Sequence, residues 1–154
     1  KKIFSLSNKN SIIKYLPRSV ISIIIPCLNE KRTINKVLTK MKNLKISNFN
    51  LVIEVIVVDG GSSDGSISII KKFKDFKFYC LSNAGKGEAI KYGIEKSKGD
   101  VIAFFPSDNE YNVEDLEKII TPIMLNQSKA VYGSRMIKSV LEDQLSKIYK
   151  NNTK

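Results

Sequence analysis

The sequence predicts an α/β fold, a doubly wound and mostly parallel sheet with helices on both faces. Three observations carry that expectation. Apolar, β-branched runs alternate with stretches of helical period along the chain, the pattern of successive βαβ units. The runs are nearly continuous in apolar residues rather than alternating, as in strands covered on both faces. Segments rich in Gly, Asn, Asp and Ser stand where strand gives way to helix. In a parallel sheet all such loops leave by the same edge.

Taken in order, residues 1–19 form a basic lead-in of no clear period, with Pro17 near its end. Val20 to Ile25 is a β-branched first strand, closed by Pro26. Ile34, Val37, Leu38, Met41 and Leu44 recur at three and four and predict a helix. Leu51 to Val58 is a second strand, apolar except for Glu54, and it runs into the turn Asp59 to Gly65. Ser66 to Phe73 reads as helix and Phe76 to Leu81 as a short strand. Asn83 to Gly87 opens the next helix, which carries Ala89, Ile90, Gly93 and Ile94 and stops at Gly99. Val101 to Phe105 reads as a strand buried on both faces, ended by Pro106. Asn112 fits an N-cap with Asp115 three residues on, and Leu116, Ile119, Ile120 and Ile123 form the stripe of the helix that follows. Ala130 to Tyr132 is a short strand leading into Gly133-Ser-Arg135. Residues 137–154 form a C-terminal segment, with Leu141, Leu145, Ile148 and Tyr149 on one side of an amphipathic helix.

Composition narrows the function. A chain of 154 residues with 42% apolar content suits one domain with a proper core. The net charge of +11 comes almost wholly from lysine, with Arg18, Arg32 and Arg135 the only arginines. Base readout leans on Arg, so no nucleic-acid partner is expected; attraction to phosphate ligands or anionic lipid is. There is no histidine, so a catalytic base would have to be a carboxylate or a lysine. Cys27 and Cys80 show no metal-ligand spacing and read as small buried apolar residues in a reducing cytoplasm. No apolar run approaches the ~18–20 residues that span a bilayer. The first residue is not Met, which suggests a trimmed or partial chain.

The strand-to-helix loops gather Asn29-Glu30, Asp59 to Asp64, Asn83 to Gly87 and Ser107 to Tyr111 on one edge. Acids beside a helix start that carries Gly85-Lys86-Gly87 are the layout a metal–diphosphate site needs. Each piece alone has a plainer meaning. Asp59-Gly-Gly is also a turn, Asp64 an N-cap, Lys86 a solvated lysine, and Asp108 a partner for a helix dipole. Arg135, after Gly-Ser at a strand end, is suited to an anion.

Pro26-Cys-Leu-Asn-Glu30, Val57-Val-Asp-Gly-Gly-Ser-Ser-Asp-Gly65, Asn83-Ala-Gly-Lys-Gly-Glu-Ala89, Gly99-Asp-Val-Ile-Ala-Phe-Phe105 and Tyr132-Gly-Ser-Arg135 resemble glycosyltransferase family 2. In order and spacing they are similar to its dolichyl-phosphate mannosyl- or glucosyltransferase branch. The resemblance covers residues 20–136 and implies a GT-A, Rossmann-like domain that binds a nucleotide-diphosphate sugar. It also implies a divalent metal, Mg or Mn. By position Pro26, Asn29 and Glu30 would lie along the nucleoside and Asp59 would face the base. Gly61, Asp64, Gly85 and Ser107 would complete the donor site, with Lys86 near the phosphates. Asp108 would hold the metal with help from Glu110, and Asp108, Lys86 and Arg135 would be the catalytic set. The family's Asp-x-Asp triplet aligns with Pro106-Ser107-Asp108, so its first aspartate is a proline. The chain also ends soon after Gly-Ser-Arg, where relatives continue.

The function expected is transfer of a sugar from a GDP- or UDP-linked donor to a lipid phosphate, a glycan or another hydroxyl acceptor. The setting would be cytoplasmic, with peripheral membrane contact through net charge and the 137–154 segment. Two alternatives stand beside it: a nucleotide-sugar-binding domain without catalysis, and a basic nucleic-acid-associated α/β protein.

Overall fold

The computed structural model describes residues 18–47 and 49–133. Residues 1–17 of the expected lead-in, the amphipathic helix expected within 137–154 and Arg135 lie outside these residues. Within them β1 (Ser19–Cys27), β2 (Leu51–Asp59), β3 (Lys77–Cys80) and β4 (Val101–Phe104) form one parallel sheet in the order β3-β2-β1-β4. The helices are α1 (Ile34–Lys42), α2 (Ser66–Ile70), α3 (Lys86–Lys96) and α4 (Asp115–Met124). None of the helices described is long and apolar enough to cross a membrane.

Branched residues on both sides of β1 and β2 decide the layering. Ile21, Ile23 and Ile25 face one side with Val55 and Val57, and meet Val37, Leu38 and Met41 of α1, Ile70 of α2 and Ile120 of α4. On the other side Ile56 and Val58 pack on Ala89 of α3. Gly93 lets α3 come close, since a Cβ there would stand 2.5 Å from Ile24 Cγ2. Strand order reverses between β1 and β4, and a doubly wound sheet opens its ligand crevice at that point.

Several local expectations are corrected. β4 is not buried on both faces: Ile102 is 37% and Phe104 52% exposed. Among the described residues it is an edge strand, and of its side chains only Val101 and Ala103 pack on the main core. Helix α2 stops at Ile70 rather than Phe73, because the chain turns there to stack Phe73 on Phe76, with centroids 5.7 Å apart. Asn112 does not cap α4. Its carbonyl accepts the Asp115 N–H in a preceding turn, and Glu114 takes the N-cap position. Pro122, within α4, has no N–H to extend the ladder, and the helix ends two residues later. Residues 130–132 form no strand, and Tyr132 is 90% exposed. Cys27 is buried as expected but Cys80, ending the outer strand β3, is exposed. Burial, aided by the neighbouring Asp59 carboxylate, pushes the Cys27 thiol up to about 12, so it stays neutral.

Glu54, the one acid in β2, anchors the sheet edge opposite the loops. It accepts from Ser22 Oγ (2.5 Å), from Lys98 N (3.0 Å) and from Lys77 Nζ, while Ser22 Oγ accepts from Gly99 N (2.9 Å). Burial pushes the carboxyl up, but the bonds from Lys77, Ser22 and Lys98 outweigh it and hold the group below its usual value. A carboxyl lowered in the folded state stabilises above its unfolded pKa, and that contribution fades as pH falls through the folded value. Glu54→Gln is therefore expected to lose roughly 2 kcal/mol at neutral pH. Its deficit against wild type should shrink between about pH 5 and pH 3 in urea melts.

Candidate active site

Four loops leave the C-terminal edge of the sheet, and backbone hydrogen bonds join three of them side by side. Gly60 N–H donates to Cys27 O (2.8 Å), Leu81 N–H to Asp59 O (2.8 Å) and Ala84 N–H to Gly60 O (2.9 Å). A Cβ on Gly60 would lie 2.3 Å from the Ala84 carbonyl oxygen, so only glycine allows this contact. In the sequence this position reads as part of an ordinary turn.

Asp59 is fully buried. Its carboxylate accepts from Gly61 N (2.9 Å), Ser62 N (2.7 Å) and Ser62 Oγ (2.6 Å), folding its own loop over itself. Gly61 completes the turn at φ 102°. The same loop then clasps the loop after β1. Asn29 N–H donates to Ser62 Oγ (2.7 Å) and Asn29 Oδ1 accepts from Ser63 N (2.9 Å). Asp64 accepts from Lys31 N (2.9 Å), Ser66 N (2.9 Å) and Ser66 Oγ (2.6 Å), and the Ser66 hydroxyl above all holds its carboxyl below the usual value. Asn29, Asp59, Gly61 and Asp64 thus shape the edge, and none of them lines the cleft described next.

That cleft opens at the reversal of strand order, between the ends of β1 and β4. Its inner part, about 200 Å³, is lined by Pro26, Glu30, Gly85, Lys86, Ser107 and Asp108, together with Leu28, Ala84 and Pro106. Its outer part, about 370 Å³, shares Pro26, Lys86, Pro106 and Asp108 and adds Glu110, Tyr111 and Asp115. Apolar side chains of Ile90, Phe104, Phe105, Leu116 and Ile119 form most of the remaining outer wall, with Asn112 and Gly133. In the sequence these apolar positions read as core; nothing in their periodicity separates a core residue from a cleft wall.

Lys86 is the first residue of α3 and belongs to both parts of the cleft. Gly85 N–H donates to Glu88 Oε2 (3.0 Å), which fixes the helix start. Gly85 and Gly87 have nothing within 4 Å of where a Cβ would stand. Protein packing does not require glycine at either, and the space before the helix's unpaired N–H groups is open. On the opposite wall Ser107 is held in place by donating to Pro26 O (2.9 Å). Asp108 Oδ1 accepts from Glu110 N (3.0 Å), and Asn109 takes a left-handed φ of 59° to make the bend.

Among the described residues no group of three His, Cys, Asp or Glu could hold a metal alone. The oxygen donors that are present still fit Mg or Mn, which is commonly held by one or two carboxylates plus substrate phosphates. Asp108, which lines the cleft together with Lys86, is the carboxylate that would hold such an ion.

The family model for Glycosyl transferase family 2 matches residues 22–153. An uncharacterized glycosyltransferase of Haemophilus influenzae is 33% identical over 75% of this chain and 46% of its own. The UDP-N-acetylglucosamine–dolichyl-phosphate N-acetylglucosaminyltransferase of Methanococcus voltae is 27% identical over 76% of this chain and 52% of its own. Among solved structures, the Pyrobaculum calidifontis mannosyltransferase in complex with GDP-Man and Mn2+ superposes with a TM-score of 0.54. It is 21% identical and covers 68% of this chain and 32% of its own. The chain spans about half the length of the curated relatives it matches.

Proposed function

This chain belongs to glycosyl transferase family 2 and has its GT-A fold, and from that premise we propose that the cleft binds a nucleotide-diphosphate sugar and transfers the sugar to an anionic acceptor. The observation that carries the reading is the convergence of Lys86 and Asp108 on one cleft at the reversal of strand order. The diphosphate lies before the N-terminus of α3, where Lys86 and free N–H groups balance its charge. Asp108, with Glu110 alongside, would hold a divalent ion, which would supply further neutralisation of the leaving nucleoside diphosphate. Pro26 and Glu30 flank the nucleoside. Asn29, Asp59, Gly61 and Asp64 act by holding the loops that shape its subsite, and Ser107 by fixing the Asp108 loop to β1.

In the transfer itself an acceptor oxygen attacks the anomeric carbon, and the bond from that carbon to the diphosphate breaks. A phosphate acceptor arrives already anionic and needs no general base, which suits a chain without histidine. The apolar outer wall of Ile90, Phe104, Leu116 and Ile119, continuous with the Lys86 corner, favours a lipid phosphate over a free glycan. Pro106, whose side chain offers no group to a metal or a ribose, favours a second reading: donor binding without transfer. Release of nucleoside diphosphate in the presence of a short polyprenyl phosphate separates the two.

The test is donor binding. GDP-mannose or UDP-N-acetylglucosamine should bind in the presence of Mn2+. Lys86→Ala should weaken that binding about tenfold, the loss of one charge-assisted contact to phosphate. Lys86 is exposed, so the melting temperature should hold. Failure of both donors to bind, or equal affinity in the variant, would overturn the reading.

A further inference from the structure

We propose that the outer face of α1 and the turn after α2 form a docking surface for an anionic lipid bilayer. The inference extends the lipid-phosphate reading of the acceptor, on which its biological sense rests, but its evidence is separate. α1 buries Ile34, Val37, Leu38 and Met41 and turns Lys36 outward, with Lys40 half-exposed beside it. Lys45 follows on the exposed stretch after the helix. α1 packs against α2, and Lys71, Lys72 and Lys74 are exposed in the turn after α2. An ion pair between Lys42 and Asp75 (3.1 Å) joins the two segments into one surface.

The charge of this surface is one-sided. No acid occurs from Lys31 to Asn50, and Asp75 is the only one from Ser66 to Cys80. The ion pairs among the described residues involve Lys42, Lys77 and Lys118, and none involves Lys36, Lys40, Lys45, Lys71, Lys72 or Lys74. The other half of the fold is balanced, since α3, β4, α4 and their loops set Glu88, Glu95, Asp108, Glu114 and Glu117 among their lysines. A net charge spread evenly over the surface would only aid solubility; one concentrated on α1, the stretch after it and the adjoining turn after α2 creates a local field.

The chemistry of the face selects the partner. It holds lysines and a single arginine, Arg32, at its margin. Phe73 and Phe76 stack on each other and pack on the core rather than standing out as platforms for bases. Point charges without base-reading or stacking groups suit lipid headgroups, where each lysine near the surface strengthens partition roughly fivefold.

The experiment is sedimentation of the whole chain with phosphatidylcholine vesicles and with vesicles containing about 30% phosphatidylglycerol, at low salt. The protein should partition onto the anionic vesicles alone. The triple variant Lys36→Gln, Lys40→Gln, Lys72→Gln should lose about 100-fold in partition. The equally charged control Lys91→Gln, Lys98→Gln, Lys129→Gln should lose no more than about fivefold. Equal losses in both variants would reduce the effect to net charge and overturn the proposal. So would indifference to phosphatidylglycerol, or tighter binding to a single-stranded oligonucleotide that the first triple variant alone abolishes. GDP and UDP binding are measured on the same samples. Nucleotide binding without vesicle preference removes only this inference, whereas vesicle preference without nucleotide binding removes the donor reading instead.

Discussion

Gly60→Ala is expected to destabilise the protein by about 3 kcal/mol or more and to abolish donor binding together with it. The added methyl would stand 2.3 Å from the Ala84 carbonyl oxygen, a backbone atom that cannot swing aside as a side chain would. Relief requires the loops after β2 and β3 to part. That breaks the Ala84 N–H bond to Gly60 O and strains the Gly60 N–H bond to Cys27 O. Those bonds hold Ala84 and Gly85 against β1, and both residues line the inner cleft. For a domain of this size the melting temperature should fall by roughly 6–12 °C in a calorimetric scan. A variant melting within a degree of wild type would show that the loops can separate freely.

Asp108→Asn is expected to reduce sugar transfer by about 100- to 1000-fold while leaving the fold intact. The asparagine keeps an oxygen for the Glu110 N–H, so the bend of the loop survives and the melting temperature should stay put. What it removes is the negative charge with which this residue would hold a divalent ion. The measurement is initial rate against Mn2+ concentration with saturating polyprenyl phosphate. Undiminished transfer by the variant would place the metal, or the chemistry, elsewhere.

The layout of the sheet was legible because Val20 to Ile25 and Leu51 to Val58, apart from Ser22 and Glu54, are apolar on both alternations, as a doubly covered strand requires. The same rule misjudged β4. Val101 to Phe105 is equally apolar, yet Ile102 and Phe104 are solvent-facing because strand position within a sheet is not encoded in the strand's own composition. The convergence of Glu30, Lys86 and Asp108 on one edge followed from parallel topology alone. The division of labour among the loop residues did not. Asn29 and Asp64 look like ligand-facing polar groups in the sequence, but Ser63, Lys31 and Ser66 take up their side-chain oxygens. Those pairings span more than thirty residues in two of three cases and depend on β1 and β2 lying side by side. Gly60 was equally hidden, since its constraint comes from Ala84 in a different loop.

The most direct test of the account is calorimetric titration of GDP-mannose and UDP-N-acetylglucosamine into the wild-type chain and into Asp108→Asn, each with Mn2+ and with EDTA. The account predicts that at least one donor binds the wild type about tenfold tighter or more with Mn2+, and that this gain vanishes in the variant. A wild type that binds neither donor, or an Asp108→Asn variant that keeps the full Mn2+-dependent gain, would contradict the assignment of the cleft between β1 and β4 as a nucleotide-sugar site.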